Sequence, residues 1–285
     1  MERTPSIEEL IRIVSNITSS IGLEQGTLPT EDHVEPIKQF VASLTPQSLG
    51  LAPDAHERIT PPALPGNIRY LHIDQVAGAY SIGVFVLPPR ACIPLHDHPN
   101  MCVVSHVLYG VLKMTCYDRL ENAASTISGA SSLSFGSTML GFAGGLGFGG
   151  GDARRRDAGE LAVLAGSGLH PAPYTSCLMP TKANVHELEA GHQGVAVLDV
   201  LIPPYDASCG RNCTYYRADH VQSSVGLGGL AGGGGSWGTG AGGRSAGGSN
   251  NATQGAHVVR LVPCTSGDNY AVVSGEIIAP LNYDT

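Results

Sequence analysis

The chain has 285 residues, a hydrophobic fraction of 42% and a net charge of −8, which allows one large domain with a real core and disfavours nucleic acid or an anionic membrane surface as a partner. Its dense basic cluster, Arg154, Arg155 and Arg156, is enclosed by Asp152 and Asp157, and no segment reaches the roughly 20 apolar residues of a membrane span. The 7 cysteines are odd in number and lack CxxC spacing, so reduced thiols are expected rather than a zinc cluster or a disulfide framework, and without a secretory pattern the protein is expected to be soluble and cytoplasmic, with the nucleus as a second compartment.

Ile7, Leu10, Ile11, Val14 and Ile17 recur at helical spacing. Val34, Ile37, Phe40, Val41 and Leu44 do so again after Thr30, with Glu31 and Asp32 suited to a first helical turn. These two helices predict an N-terminal helical extension over residues 1–50. The character then changes. Ile68 to Ile73, Tyr80 to Leu87, Met101 to Tyr109 and Val111 to Tyr117 are short β-rich runs separated by Gly, Pro and Asp, the pattern of an antiparallel barrel. Within this 51–285 domain, residues from about 122 to 168 and from about 226 to 255 are so rich in Gly, Ala and Ser that they read as disordered insertions, which cost little in loop-closure entropy. Further strands are expected at Cys177 to Pro180, Gly194 to Ile202 and His257 to Pro263, with a last edge strand at Ile277 to Pro280.

The chemistry concentrates at His96 and His98, in the run Pro94-Leu95-His96-Asp97-His98-Pro99. Two histidines separated by one residue lie on the same side of a strand and can bind one ion. If His186, in Asn184-Val185-His186-Glu187-Leu188, supplies a third nitrogen from another strand, the ion keeps open positions, as a catalytic site requires. His33, His56, His72, His170, His192, His220 and His257 read as surface or satisfied core residues. His106 shares the parity of His98 but lies too far along a strand to bind the same ion. It reads as a supporting or surface residue.

Longer stretches add a resemblance. Tyr80-Ser81-Ile82-Gly83-Val84-Phe85-Val86-Leu87-Pro88-Pro89, Ile93 to Met101, Leu108-Tyr109-Gly110, Ala196 to Leu201 with Pro203-Pro204-Tyr205, and Gly210 to Tyr216 together resemble the plant cysteine oxidase and 2-aminoethanethiol dioxygenase family of thiol dioxygenases. The resemblance implies a mainly β, cupin-type barrel of the double-stranded β-helix or jelly-roll kind. Val103 stands where cupins carry an acidic ligand and Gly110 where they carry a glycine. The expected centre is therefore Fe(2+) on three histidines, His96, His98 and His186, with Asp199 and Tyr205 as the residues near the substrate. Setting the low-complexity stretch aside brings the His98 to His186 separation to family size, which favours His186 over His170. His106 and Asn100 depart from the pattern, standing where relatives carry Lys or Arg and Gly.

Three neutral imidazoles leave the metal its full charge, so an anionic thiolate is favoured as a ligand. The resemblance implies a monomer that converts the N-terminal cysteine of protein or peptide substrates to the sulfinic acid with O₂, sensing oxygen through the N-degron route. Oxidation of a free small thiol such as cysteamine, or metal binding without catalysis, are the alternatives. Cys213 and Tyr215 have the spacing of the covalent cysteine–tyrosine pair of animal relatives, which plant-type members need not form. The other cysteines read as buried small apolar residues.

Overall fold

The N-terminal helices form where the apolar spacing places them. In a computed structural model describing residues 5–23, 26–51, 67–120, 159–221, 257–266 and 271–276, α1 spans Ile7–Ile21 and α2 spans Glu31–Val41. Ser6 caps α1 by accepting from the Glu9 amide, and Thr30 caps α2 in a capping box in which His33 Nδ1 accepts from the Thr30 amide at 3.1 Å. Leu10 and Val14 of α1 pack with Val34, Ile37 and Val41 of α2 onto one side of the barrel, beside Ile82, Val84, Cys102 and Val104.

Ten strands follow: β1 Asn67–Val76, β2 Tyr80–Leu87, β3 Cys92–Asp97, β4 Cys102–Arg119, β5 Glu160–Pro171, β6 Tyr174–Leu178, β7 Val185–Ile202, β8 Tyr215–His220, β9 Val258–Cys264 and β10 Ala271–Glu276. Pairing runs β3–β7–β4–β5–β9–β8 and returns from β8 to β3, so this part of the sheet closes on itself. The bridge that closes it is His96 to Tyr215. The result is the expected mainly β barrel of cupin type with helices before it. Among the described residues, the strand pairs are antiparallel except β1 with β10.

Several expectations change. The two runs on either side of Gly110 form one 18-residue strand, β4, which bends there to serve both halves of the barrel. Gly110 has φ +80°, and a Cβ on it would collide with the Gly194 carbonyl of the crossing strand β7, so the bend requires glycine. Residues 160–168, assigned to the first insertion, belong to β5. That strand is mostly solvent-exposed and is held by backbone pairing to β4 and β9, which makes few demands on side-chain composition. Residues 122–158 of that insertion, the 226–255 tract and Ile277 to Pro280 lie outside the described residues. The cysteines also divide: Cys102 and Cys116 are buried, but Cys209 and Cys264 are exposed.

Candidate metal centre

His96 lies near the end of β3 and His186 directly opposite it on β7. His98 follows the strand in a turn completed by Asn100, whose φ of +57° is the left-handed conformation that asparagine tolerates and that explains a glycine preference at this position. All three imidazoles are buried. His98 Nε2 and His96 Nε2 lie 3.1 Å and 3.3 Å from His186 Nε2, so the three rings converge on one point.

Hydrogen bonds set the tautomers. His96 Nδ1 donates to the Pro94 carbonyl at 2.8 Å, which leaves Nε2 as a bare lone pair. The Tyr205 hydroxyl donates to the Asp97 carbonyl at 2.7 Å, so it accepts from His98 Nδ1 at 2.8 Å, and the His98 Nε2 is likewise bare. His186 Nδ1 is buried without a hydrogen-bond partner among the described residues. Burial lowers the pKa of all three, and their mutual repulsion pushes His98 and His186 down further, so the rings are neutral. Facing lone pairs in a buried space are unfavourable unless a cation lies between them. The donor set therefore fits a metal ion held on one side by three nitrogens.

Two polar residues that the sequence analysis did not single out hold the ligands in place. Asn184 is buried between the ligand segments: its Oδ1 accepts from the His98 amide at 3.2 Å, and its Nδ2 donates to the His98 carbonyl at 2.8 Å and the Met179 carbonyl at 3.1 Å. Asp97, between the two histidines, accepts from Arg119 at 2.7 Å, from the Thr214 amide at 2.9 Å and from the Tyr216 hydroxyl at 3.0 Å. This ties the ligand turn to β4 and β8. The cue for both was their position immediately beside or between the ligands.

The triad borders a cavity of about 380 Å³ lined by Phe85, Ile93, Leu188 and Leu201 together with Asp199, Tyr205, Cys213 and Tyr215. Asp199 sits opposite Gly83 of β2 on one side and Ser105 of β4 on the other. Ser105 Oγ donates to its carboxylate at 2.6 Å. A Cβ at Gly83 would overlap the ring of Tyr70, so glycine there admits Tyr70 to the cavity wall beside Asp199. Burial pushes the Asp199 carboxyl up to about 7, against the Ser105 hydrogen bond that lowers it. The Tyr205 ring stacks on His98 and its hydroxyl is engaged with that imidazole, which holds the ring in place. Desolvation raises the Cys213 thiol, against hydrogen bonds to Tyr205 and Tyr215 that lower it.

Among the described residues, other histidines stand apart from the triad. His170 stacks on Tyr174, and His192 pairs with Arg90 at 3.1 Å on the surface. His106 is 1% exposed, so it is no surface residue: its Nδ1 bonds Thr175 Oγ1 at 2.7 Å across the β4–β6 pair, away from the triad.

Three neutral imidazoles, on β3, on the turn after it and on β7, beside a cavity with a buried carboxylate, define a three-histidine barrel of the cupin class. The chain belongs to the PCO_ADO family, whose model matches residues 40–229. It is 30% identical over 203 residues to 2-aminoethanethiol dioxygenase of Mus musculus, covering 70% of this chain and 73% of the relative. Identity to the Homo sapiens 2-aminoethanethiol dioxygenase is 32% over 190 residues, 65% of each chain. Plant cysteine oxidase 1 of Arabidopsis thaliana is 30% identical over 203 residues, 67% of this chain and 57% of the relative. These relatives are oxidoreductases acting on thiols, and this chain is a member of that thiol dioxygenase family. Among solved structures, an oxalate oxidase shares 13% identity, with 55% of this chain and 58% of that one covered at a TM-score of 0.32. Among the described residues, no helix is long and apolar enough to cross a membrane.

Proposed function

We propose that this protein uses Fe(2+) on His96, His98 and His186 to convert the N-terminal cysteine of protein or peptide substrates to cysteine sulfinic acid. The balance is closed: a thiol and one O₂ give the sulfinic acid, with sulfur supplying all the electrons. The convergence of three neutral, buried imidazole nitrogens beside a cavity that also holds Asp199 carries the reading.

Iron(II), when bound, supplies open positions for a thiolate and O₂ and lowers the thiol pKa. The protein's part is positioning. Asp199 is placed to accept a hydrogen bond or charge from the amine that a 2-aminothiol carries beside its sulfur, and an ammonium arriving there would restore the carboxylate that burial disfavours. Phe85, Ile93, Leu188 and Leu201 exclude water around the reacting sulfur. Tyr205 keeps the His98 lone pair aimed at the metal.

Cysteamine carries the same 2-aminothiol group, and two relatives are named for it, so free cysteamine is the second reading. Mass spectrometry of a Cys-initiating peptide after incubation with iron-loaded protein tests the first. A gain of two oxygens on the peptide, with slower turnover of cysteamine, supports it. Oxidation of cysteamine alone favours the second, and an absence of O₂ uptake with either thiol would leave a metal-binding barrel without catalysis. In the first case the natural role is oxygen sensing, with the sulfinic product feeding N-degron degradation in the cytoplasm or nucleus.

A further inference from the structure

A second cluster of ligand atoms lies on the opposite face of β4 from the histidine triad. Cys102 Sγ is 3.3 Å from Cys177 Sγ and 3.8 Å from Met179 Sδ, and Cys177 Sγ is 3.7 Å from Met179 Sδ. Strand parity produces this triangle. Val104 faces Cys177 across the β4–β6 pair, so Cys102, two residues before Val104, and Met179, two residues after Cys177, fall on the same face. Ser105, of opposite parity on β4, points the other way, to Asp199 in the cavity. The sulfur face is the one that α2 covers: Cys102 belongs to the core shared with Val34, Ile37 and Val41, and Cys177 and Met179 pack against it.

We propose that Cys102, Cys177 and Met179 form a second metal site, independent of the iron site, that binds one Cu(I) ion. The circle through the three sulfurs has a radius of about 2.1 Å, so an ion with metal–sulfur bonds of about 2.3 Å rests just above their plane without any sulfur having to move. Two thiolates and a thioether are soft donors, which select a soft ion such as Cu(I). Zinc in a structural site takes four ligands, but among the described residues no His, Asp, Glu or third Cys joins the pair. Binding releases the two thiol protons and leaves the site with one net negative charge. The hydrogen bond with Cys102, and to a lesser degree the positive charge of Lys38 of α2, favour the Cys177 thiolate against its burial, whereas the same hydrogen bond and burial raise the Cys102 thiol, so the metal has to displace that proton.

A disulfide is the competing outcome for two thiols this close. The two cysteines are diagonal rather than directly opposed, a relation that separates α-carbons by about 7–8 Å in an antiparallel pair, beyond the roughly 4.4–6.8 Å that a disulfide spans. A metal ion bridges the sulfurs without closing that distance.

The test is an anaerobic titration of the full-length, iron-loaded protein with Cu(I) against bicinchoninate as competing chelator, read by the thiolate-to-copper charge-transfer absorption. The same titration is run on Cys177→Ser and on Met179→Leu, which keeps the apolar packing if the serine variant folds poorly. His186→Ala without added iron reports on copper held by the triad. The wild type and His186→Ala are expected to retain one Cu(I), and both sulfur variants to lose at least about tenfold in affinity, a loss that even outer-shell changes can produce. Equal Cu(I) affinity in a folded Met179→Leu or Cys177→Ser protein overturns the assignment. So does binding that disappears only in His186→Ala, or air-oxidised protein in which peptide mapping finds Cys102 joined to Cys177.

Discussion

The Tyr205 hydroxyl links the backbone to His98, a proposed metal ligand: it donates to the Asp97 carbonyl at 2.7 Å and accepts from His98 Nδ1 at 2.8 Å. One phenol thereby sets the tautomer of His98 and holds its ring. Tyr205→Phe should leave a folded barrel with a looser His98, lowering iron affinity by about 10- to 100-fold, the usual effect of losing a partner behind a ligand. Unchanged iron affinity, measured by chelator competition, would reduce Tyr205 to a packing residue.

Removing a ligand itself should do more. His96→Ala, His98→Ala and His186→Ala each leave two nitrogens, too few to hold the ion on one side, and should abolish bound iron and O₂ uptake together. His170→Ala and His192→Ala should retain both, because those rings are occupied with Tyr174 and Arg90. Iron content by elemental analysis checks the set, and full occupancy in His186→Ala would refute the third ligand.

Asn184 binds the two ligand segments to each other through buried hydrogen bonds. Asn184→Ala strands the His98 amide without its partner, at a cost of about 1–3 kcal/mol for a buried group left unsatisfied, while the His98 carbonyl keeps its hydrogen bond from the Met101 amide. The expected result is a clear drop in the urea midpoint together with weaker iron binding. A midpoint unchanged within error would mean that water replaces the amide.

The Asp199 carboxyl, raised to about 7 by burial against the lowering effect of Ser105, makes stability depend on pH. An acid whose folded pKa exceeds its unfolded value of about 3.9 holds more protons folded than unfolded. Its contribution is complete below pH about 4 and is lost as pH rises towards 7. Asp199→Asn cannot titrate, so in urea unfolding of the metal-free protein its stability relative to wild type should rise across that window, by an amount on the order of a few kcal/mol. A constant difference from pH 4 to 8 would show that Asp199 ionises normally. In iron-loaded protein the same variant should lose about a hundredfold or more in turnover of a Cys-initiating peptide, as removal of a positioned charged group does. Near-normal turnover would make Asp199 structural.

Local rules made the helices, the His96-x-His98 pair and most strands legible, because amphipathic spacing and strand parity act over a few residues. Ile7–Ile21 and Tyr80–Leu87 form where the apolar pattern places them. The resemblance carried by scattered stretches added His186, Asp199 and Tyr205, which no local periodicity identifies as partners of His96. Tertiary structure decided the rest. Backbone pairing to β4 and β9 orders residues 160–168 despite a composition that reads as a loop, since an exposed strand is held by its ladder more than by its side chains. Whether Tyr205 faces the substrate or a ligand ring, whether Asn184 touches His98, and that Cys102 meets Cys177 and Met179 are consequences of register between strands distant in sequence. Register is fixed only when the barrel closes, because burial of the whole sheet face, rather than any local preference, selects it.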